Sequence, residues 1–159
     1  MDEKIHIKHL YLRWSSDKDN DVFDSQTEKD VLDKSHLHKD LKELRISSYR
    51  GTMFTDWVGH SSYYMLTKLE LRGCRNCWVL PSLGQLLSLM KLKLYLFDML
   101  KMIGGEFYKG NETHHHQETP FRSLKSLSFY NISCWEEWEL FECDDDAPFP
   151  QLGYRTVLC

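Results

Sequence analysis

One short apolar pattern, repeated along a chain of 159 residues, limits what this sequence can fold into more than any other feature. The pattern is L-x-x-L-x-L, and it occurs at Ile7/Leu10/Leu12, Leu41/Leu44/Ile46, Leu66/Leu69/Leu71, Leu89/Leu92/Leu94 and Leu124/Leu127/Phe129. A damaged sixth copy stands at Leu152/Arg155/Val157, with Arg155 where the other copies carry a buried apolar residue. The last two apolar positions of each copy are two residues apart, so in an extended segment they share one face and the residues between them take the other. No copy can bury its own apolar face. Stacked in parallel, successive copies bury one another.

First positions are separated by 34, 25, 23, 35 and 28 residues. The intervals of 23, 25 and 28 fall within the roughly 20–29 residues of leucine-rich repeats, and those of 34 and 35 require insertions. The expected architecture is therefore α/β: a leucine-rich-repeat solenoid forming a partial horseshoe. Its parallel sheet lines the concave face, with short helices and irregular turns on the convex face. Residues 1–159 read as a single domain of five to six irregular repeats, the last degenerate. On the return paths, Ser25-Gln26-Thr27-Glu28 has the form of a capping box opening a short helix that carries Val31 and Leu32. Leu80-Pro81-Ser82-Leu83-Gly84-Gln85-Leu86 permits only short helical turns. Residues Lys109 to Thr119 and the acidic Asp144-Asp145-Asp146 read as exposed loops.

A net charge of −4, from 20 basic and 24 acidic residues, argues against a nucleic-acid binder. No basic start followed by an apolar run marks a secretory signal, and no stretch approaches the roughly 20 apolar residues of a membrane span. Five cysteines (Cys74, Cys77, Cys134, Cys143, Cys159) form no paired framework, which suggests free thiols in a reducing, cytoplasmic compartment. The sequons at Asn111 and Asn131 would then go unglycosylated.

Beyond the repeat, longer stretches carry a family resemblance. They include Asp30-Val31-Leu32, Leu41-Lys42-Glu43-Leu44-Arg45-Ile46, Tyr49-Arg50-Gly51 and Phe54-Thr55-Asp56-Trp57. Leu69-Glu70-Leu71-Arg72-Gly73-Cys74-Arg75-Asn76-Cys77 and the Leu80–Leu86 segment follow. Ile103-Gly104-Gly105-Glu106-Phe107-Tyr108, Pro120-Phe121-Arg122-Ser123-Leu124, Trp135-Glu136-Glu137-Trp138 and Phe149-Pro150-Gln151-Leu152 complete the series. In this order they resemble the repeat region of plant intracellular disease-resistance proteins of the coiled-coil, nucleotide-binding, leucine-rich-repeat class. Thr55 and Leu87 stand where that family has proline, and no G-x-x-x-x-G-K-[ST] phosphate loop is present. The chain reads as a piece of a longer protein or a truncated gene product. Cofactors are expected to be none, with ADP or ATP entering only through the nucleotide-binding domain of a full-length relative.

Four motifs could carry chemistry, and each has a plainer reading. Cys74-x-x-Cys77 is half a zinc site without a second half, and Cys74 lies eight residues after Leu66, where leucine-rich repeats place Asn or Cys. Packing is the expectation. His114-His115-His116 could gather a transition metal but sits in a polar loop. Gly104-Gly105-Glu106-Phe107 spells the signature of diguanylate cyclases, yet acidic metal ligands and a phosphate cradle are not evident around it. The Glu136–Glu137 pair lacks the desolvation that tunes a catalytic carboxylate, and its flanking tryptophans read as closing the core after the fifth strand. No catalytic, cofactor or metal residue is assigned, and the chain is expected not to be an enzyme.

Function is expected on the strand residues that face away from the core. These are His9, Tyr11 and Arg13; Glu43, Arg45 and Ser47; Lys68, Glu70 and Arg72; Lys91, Lys93 and Tyr95; Ser126, Ser128 and Tyr130. Six are Lys or Arg and two are Glu, so a face of +4 stands on a chain of −4. Its plain reading is a solvated surface; the functional one is a basic, Tyr-edged patch for an acidic protein surface. The resemblance implies a segment of an innate-immune receptor acting by protein–protein contact in pathogen recognition and autoinhibition. Its partner would be a pathogen effector, a guarded host protein or the receptor's own nucleotide-binding domain, with no nucleic acid and no membrane span. The alternative is a structural or decoy product without signalling.

Overall fold

A computed structural model describes residues 6–15, 25–35, 38–108, 119–133, 135–138 and 149–158, with residues 25, 137–138 and 154–158 described through the backbone alone. Its main element is a parallel sheet of six strands: β1 (His9–Arg13), β2 (Glu43–Ser47), β3 (Lys68–Arg72), β4 (Lys91–Tyr95), β6 (Ser126–Tyr130) and β8 (Tyr154–Leu158). They neighbour one another in chain order, and every copy of the apolar pattern supplies one strand. The register aligns like with like: Leu10 with Leu44, Leu44 with Leu69, Leu69 with Leu92, Leu92 with Leu127, and Leu127 with Arg155. The degenerate last copy therefore still forms its strand, and Arg155 holds the register position occupied elsewhere by leucine.

Each copy from the second onward begins with the same device. The amide N–H of the first apolar residue donates to the carbonyl three residues earlier, at Leu41→His38, Leu66→Tyr63, Leu89→Leu86, Leu124→Phe121 and Leu152→Phe149. That turn sends the first leucine inward and releases the chain into its strand. The strands β2, β3, β4 and β6 end with a device too. The residue after the strand is left-handed at Ser48 (φ 58°), Gly73 (φ 66°), Leu96 (φ 57°) and Asn131 (φ 51°). At Ser48, Gly73 and Leu96 its N–H still donates to the last strand carbonyl of the next repeat, on Arg72, Tyr95 and Tyr130. The bend thus costs no backbone hydrogen bond. Only Gly73 adopts it without the steric penalty of a side chain.

The core is one cluster running under the sheet. Leu44, Ile46, Leu69, Leu71, Leu92, Leu94, Leu127 and Phe129 are all at most 2% exposed. β1 is looser, with Leu10 and Leu12 half-buried. The expected helix forms as α1 (Ser25–Lys34), but only Leu32 enters the core; Val31 is 49% exposed. Glu28, expected in a capping box, reaches Arg50, whose Nη2 lies 2.7 Å from its Oε1. Trp57 Nε1 donates to the carbonyl of Leu32 at 2.9 Å, tying α1 to the next return path.

A second sheet is one that the repeat pattern does not foretell. β5 (Met102–Ile103) pairs in parallel with β7 (Glu137–Trp138). It joins the two motifs around Gly104 and Trp135 on successive return paths. Most of the polar insertion, Lys109 to Thr119, the His114–His116 run and the Asp144–Asp146 loop lie outside the described residues.

Thr55, where the resembled family has proline, is 2% exposed, and its hydroxyl finds no hydrogen-bond partner among the described residues. A buried hydroxyl left unpaired costs about 1–3 kcal/mol. Thr55→Val keeps the shape and removes the orphan, and should stabilise the fold by about 1 kcal/mol. Urea unfolding would read this as a raised midpoint at unchanged slope. A lower midpoint would show that Thr55 is satisfied in solution.

Candidate partner-binding face

The strand residues that alternate with the buried leucines lie on one face of the six-stranded sheet. Among them His9, Tyr11, Arg13, Arg45, Lys68, Arg72 and Lys91 are exposed. Glu43, Ser47, Glu70, Lys93, Tyr95, Ser126 and Tyr130 are half-buried. Ser128 is a correction, being 2% exposed despite its outward register position. It is short and lies between Lys93 of β4 and Thr156 of β8 in register, so it does not belong to an accessible surface.

Charge is distributed unevenly. On the β1–β3 side, Glu43 accepts from Arg45 Nη2 at 3.0 Å, and His9 Nδ1 lies 3.3 Å from it. Arg45 Nε lies 3.8 Å from Glu70, and its guanidinium sits 5.0 Å from the Tyr11 ring centroid. Burial pushes the Glu43 pKa up, but the hydrogen bonds from His9 and Arg45 and the charges of Arg45 and Lys68 outweigh it, holding the carboxyl below its ordinary value. Both carboxylates of the face are thus committed to Arg45. A dent of about 100 Å³ is lined by Lys68, Lys91 and Lys93 together with Glu43, Arg45 and Glu70, a net of +2, and further positive charge lies on Arg13 and Arg72 at the strand ends. Beyond the lysines, the rings of Tyr95 and Tyr130 stack at 5.0 Å and 10°. Lys93 Nζ lies 5.9 Å from the Tyr95 centroid. Lysines followed by a flat aromatic ledge suit a partner with carboxylates next to an apolar or planar group.

The candidate chemical motifs are placed differently. Cys74 and Cys77 are both 0% exposed. Cys77 Sγ donates to the carbonyl of Gly51 at 3.0 Å and Cys74 Sγ contacts that of Arg72 at 3.8 Å, each fastening one loop to its neighbourhood. Burial pushes the Cys74 pKa up to about 12, and burial followed by the nearby Cys74 pushes that of Cys77 up as well. Thiols held protonated make poor nucleophiles and poor ligands. In Gly104-Gly105-Glu106-Phe107 the last residue is 0% exposed and packs on Phe121, with ring centroids 4.8 Å apart. Trp135 packs on Phe129 at 5.1 Å, and Glu136 is exposed, 3.9 Å from Lys101. Those two motifs build the core. Among the described residues no group of three or more His, Cys, Asp or Glu could hold a metal ion.

A family profile described as R13L1/DRL21 LRRs matches residues 1–97, well over half of the 159-residue chain. The chain belongs to the R13L1/DRL21 leucine-rich-repeat family. An Arabidopsis thaliana protein named as disease resistance RPP13-like protein 1 is 33% identical over 99% of this chain. A Solanum bulbocastanum protein named as disease resistance protein RGA4 is 31% identical over 98% of it, and disease resistance protein RGA2 of that species is 27% identical over 97%. The chain spans 16%, 15% and 16% of those relatives, so it corresponds to a small part of each. No solved structure matches it. The profile ends at Phe97, just past β4, so the R13L1/DRL21 match covers the four strands that carry most of the charged face. No helix among the described residues is long and apolar enough to cross a membrane.

Proposed function

We propose that this R13L1/DRL21 segment is a protein-docking surface of a plant innate-immune receptor. Its contacts would be made by the outer face of the six-stranded sheet, as the concave side of a single repeat domain. Contact with an acidic protein surface, either a pathogen-derived or guarded host protein or the receptor's own nucleotide-binding domain, would serve recognition and autoinhibition. The receptor would act in the cytoplasm, nucleotide would be bound outside this segment, and the segment itself would perform no catalysis. One observation carries the reading: Glu43 and Glu70 are occupied with Arg45, which leaves Lys68, Lys91 and Lys93 as a cationic cluster beside the Tyr95–Tyr130 ledge. Charge complementarity between such a net-positive face and an acidic partner steers and orients association.

The test is capture of the receptor's own nucleotide-binding domain, expressed separately, on immobilised repeat segment. Lys91→Glu with Lys93→Glu should weaken capture by about tenfold or more, since each reversal replaces attraction by repulsion at the contact. Asp144→Lys with Asp145→Lys, in the acidic run that the sequence reads as an exposed loop, should change it little. Equal losses from both pairs would show that the face is ordinary solvated surface.

A further inference from the structure

One cavity lies not on the strand face but at the carboxyl ends of β1–β4, and it has a volume of about 590 Å³. That is the size of a small-molecule site, commonly about 300–1,000 Å³. Four arginines line it, Arg13, Arg50, Arg72 and Arg75, and no carboxylate among the described residues does. Two of them are neutralised from behind: Arg50 by Glu28 at 2.7 Å and Arg75 by Asp98 at 2.7 Å. Arg13 and Arg72 have no ion-pair partner among the described residues, so the described lining carries an excess charge of +2.

We propose that this cavity binds a small phosphate-bearing dianion through Arg13 and Arg72. Two unpaired guanidinium groups held across one concavity repel each other, and a dianion between them removes that repulsion. The backbone offers little here, because the N–H groups of Ser48 and Gly73 are already spent on the carbonyls of Arg72 and Tyr95. Recognition therefore falls to side chains. The planar fork of arginine matches two oxygens of a tetrahedral phosphate at once, and the hydroxyls of Ser47 and Ser48 on the same wall can supply further hydrogen bonds. A single carboxylate would leave one charge uncompensated. The site goes beyond protein docking and does not depend on it, since anion binding is measured with no protein partner present.

The test is calorimetric titration of the chain with pyrophosphate and with inorganic phosphate, against sodium chloride of matched ionic strength. Saturable binding at one site per chain is expected for at least one of the two. Arg13→Gln and Arg72→Gln should each weaken it about tenfold or more, as loss of a charge-assisted pair does. Arg72→Lys should give an intermediate loss, keeping the charge but not the fork. Lys125→Gln, exposed and outside the cavity, should bind like the parent. Arg13 and Arg72 are exposed, so the variants should melt like the parent. Flotation with phosphatidylcholine vesicles, with and without phosphatidylinositol phosphate, separates the two sources of this chemistry. Binding to those headgroups alone, lost in Arg72→Gln, makes the natural ligand a lipid phosphate; binding of the free anion makes it a soluble one. Absence of saturable binding to any of these probes, or arginine variants that bind as tightly as the parent, overturns the proposal.

Discussion

Gly84→Ala is expected to destabilise the fold by roughly 3 kcal/mol or more, at the upper end of what overpacking costs. At about 2–4 °C per kcal/mol for a domain of this size, the melting midpoint should fall by roughly 6–12 °C. The reason is contact between two stretches of backbone. A Cβ at position 84 would lie 2.2 Å from the carbonyl oxygen of Tyr108 and 2.8 Å from its carbonyl carbon. Neither chain can step aside easily. Gly84 also accepts a hydrogen bond from the Phe121 N–H at 3.0 Å, and Phe121 packs on Phe107 at 4.8 Å and on Phe149 at 5.1 Å. The methyl group would thus push apart three successive return paths. Gly105→Ala is the matched control, because an added Cβ there meets nothing within 4 Å; its effect should stay within about 0.5 kcal/mol. A Gly84→Ala midpoint within about 2 °C of the Gly105→Ala midpoint would mean that the two backbones separate freely, and the packing argument would fail.

That contact explains why Leu80–Leu86 and Ile103–Tyr108 occur together in sequence, although neither motif read alone predicts the other. The strands are legible because two inward positions separated by one outward position fix both the face and the frame. The spacing alone therefore aligns Leu44/Ile46 with Leu69/Leu71 and these with Leu92/Leu94, and the observed register is the same. Even β8 follows, since Leu152 and Val157 bracket Arg155 correctly. The two-residue strands β5 and β7 are not legible, because Met102–Ile103 and Glu137–Trp138 are too short to carry a period. The left-handed exits are half hidden: Gly73 announces one, whereas Ser48 and Leu96 take the same conformation because the next strand holds their N–H groups. On the candidate face, alternation places the side chains but not their pairings. Nothing in Glu43-Leu44-Arg45 foretells that Arg45 also reaches Glu70 of the next strand, 25 residues on. The arginine-lined cavity is hidden for a related reason. Its wall is assembled from the ends of consecutive repeats, and Arg13, Arg50, Arg72 and Arg75 form no motif until the register brings them together.

Alkaline pH should unfold this chain through its two buried thiols. The Cys74 pKa is raised from an ordinary 9.0 to about 12, with burial as the dominant cause, and Cys77 is shifted in the same direction by burial and by Cys74. The sign follows from proton counting. Below about pH 9 both thiols are protonated in the folded and unfolded chain, so neither makes stability depend on pH. Above it the unfolded chain releases protons that the folded chain retains, and stability falls with rising pH until the folded thiols ionise in their turn. Each thiol lowers the folded-to-unfolded ratio about tenfold per pH unit in that window. About two units above the threshold, two thiols together cost about four powers of ten, or roughly 5 kcal/mol, comparable with the whole stability of a modest domain. Tyr49, whose buried hydroxyl donates to the carbonyl of Met53 at 2.8 Å, is shifted upward by burial too and steepens the fall above about pH 10. Urea midpoints measured from about pH 7 to 11 should be flat up to about pH 8.5 and then drop steeply. Cys77→Ala should start lower at neutral pH, having lost the Cys77–Gly51 hydrogen bond, yet fall with a shallower slope because one titrating group is gone. It is the slope, not the starting level, that tests the idea. A Cys77→Ala slope equal to the parent's would assign the alkaline loss to groups other than the thiols.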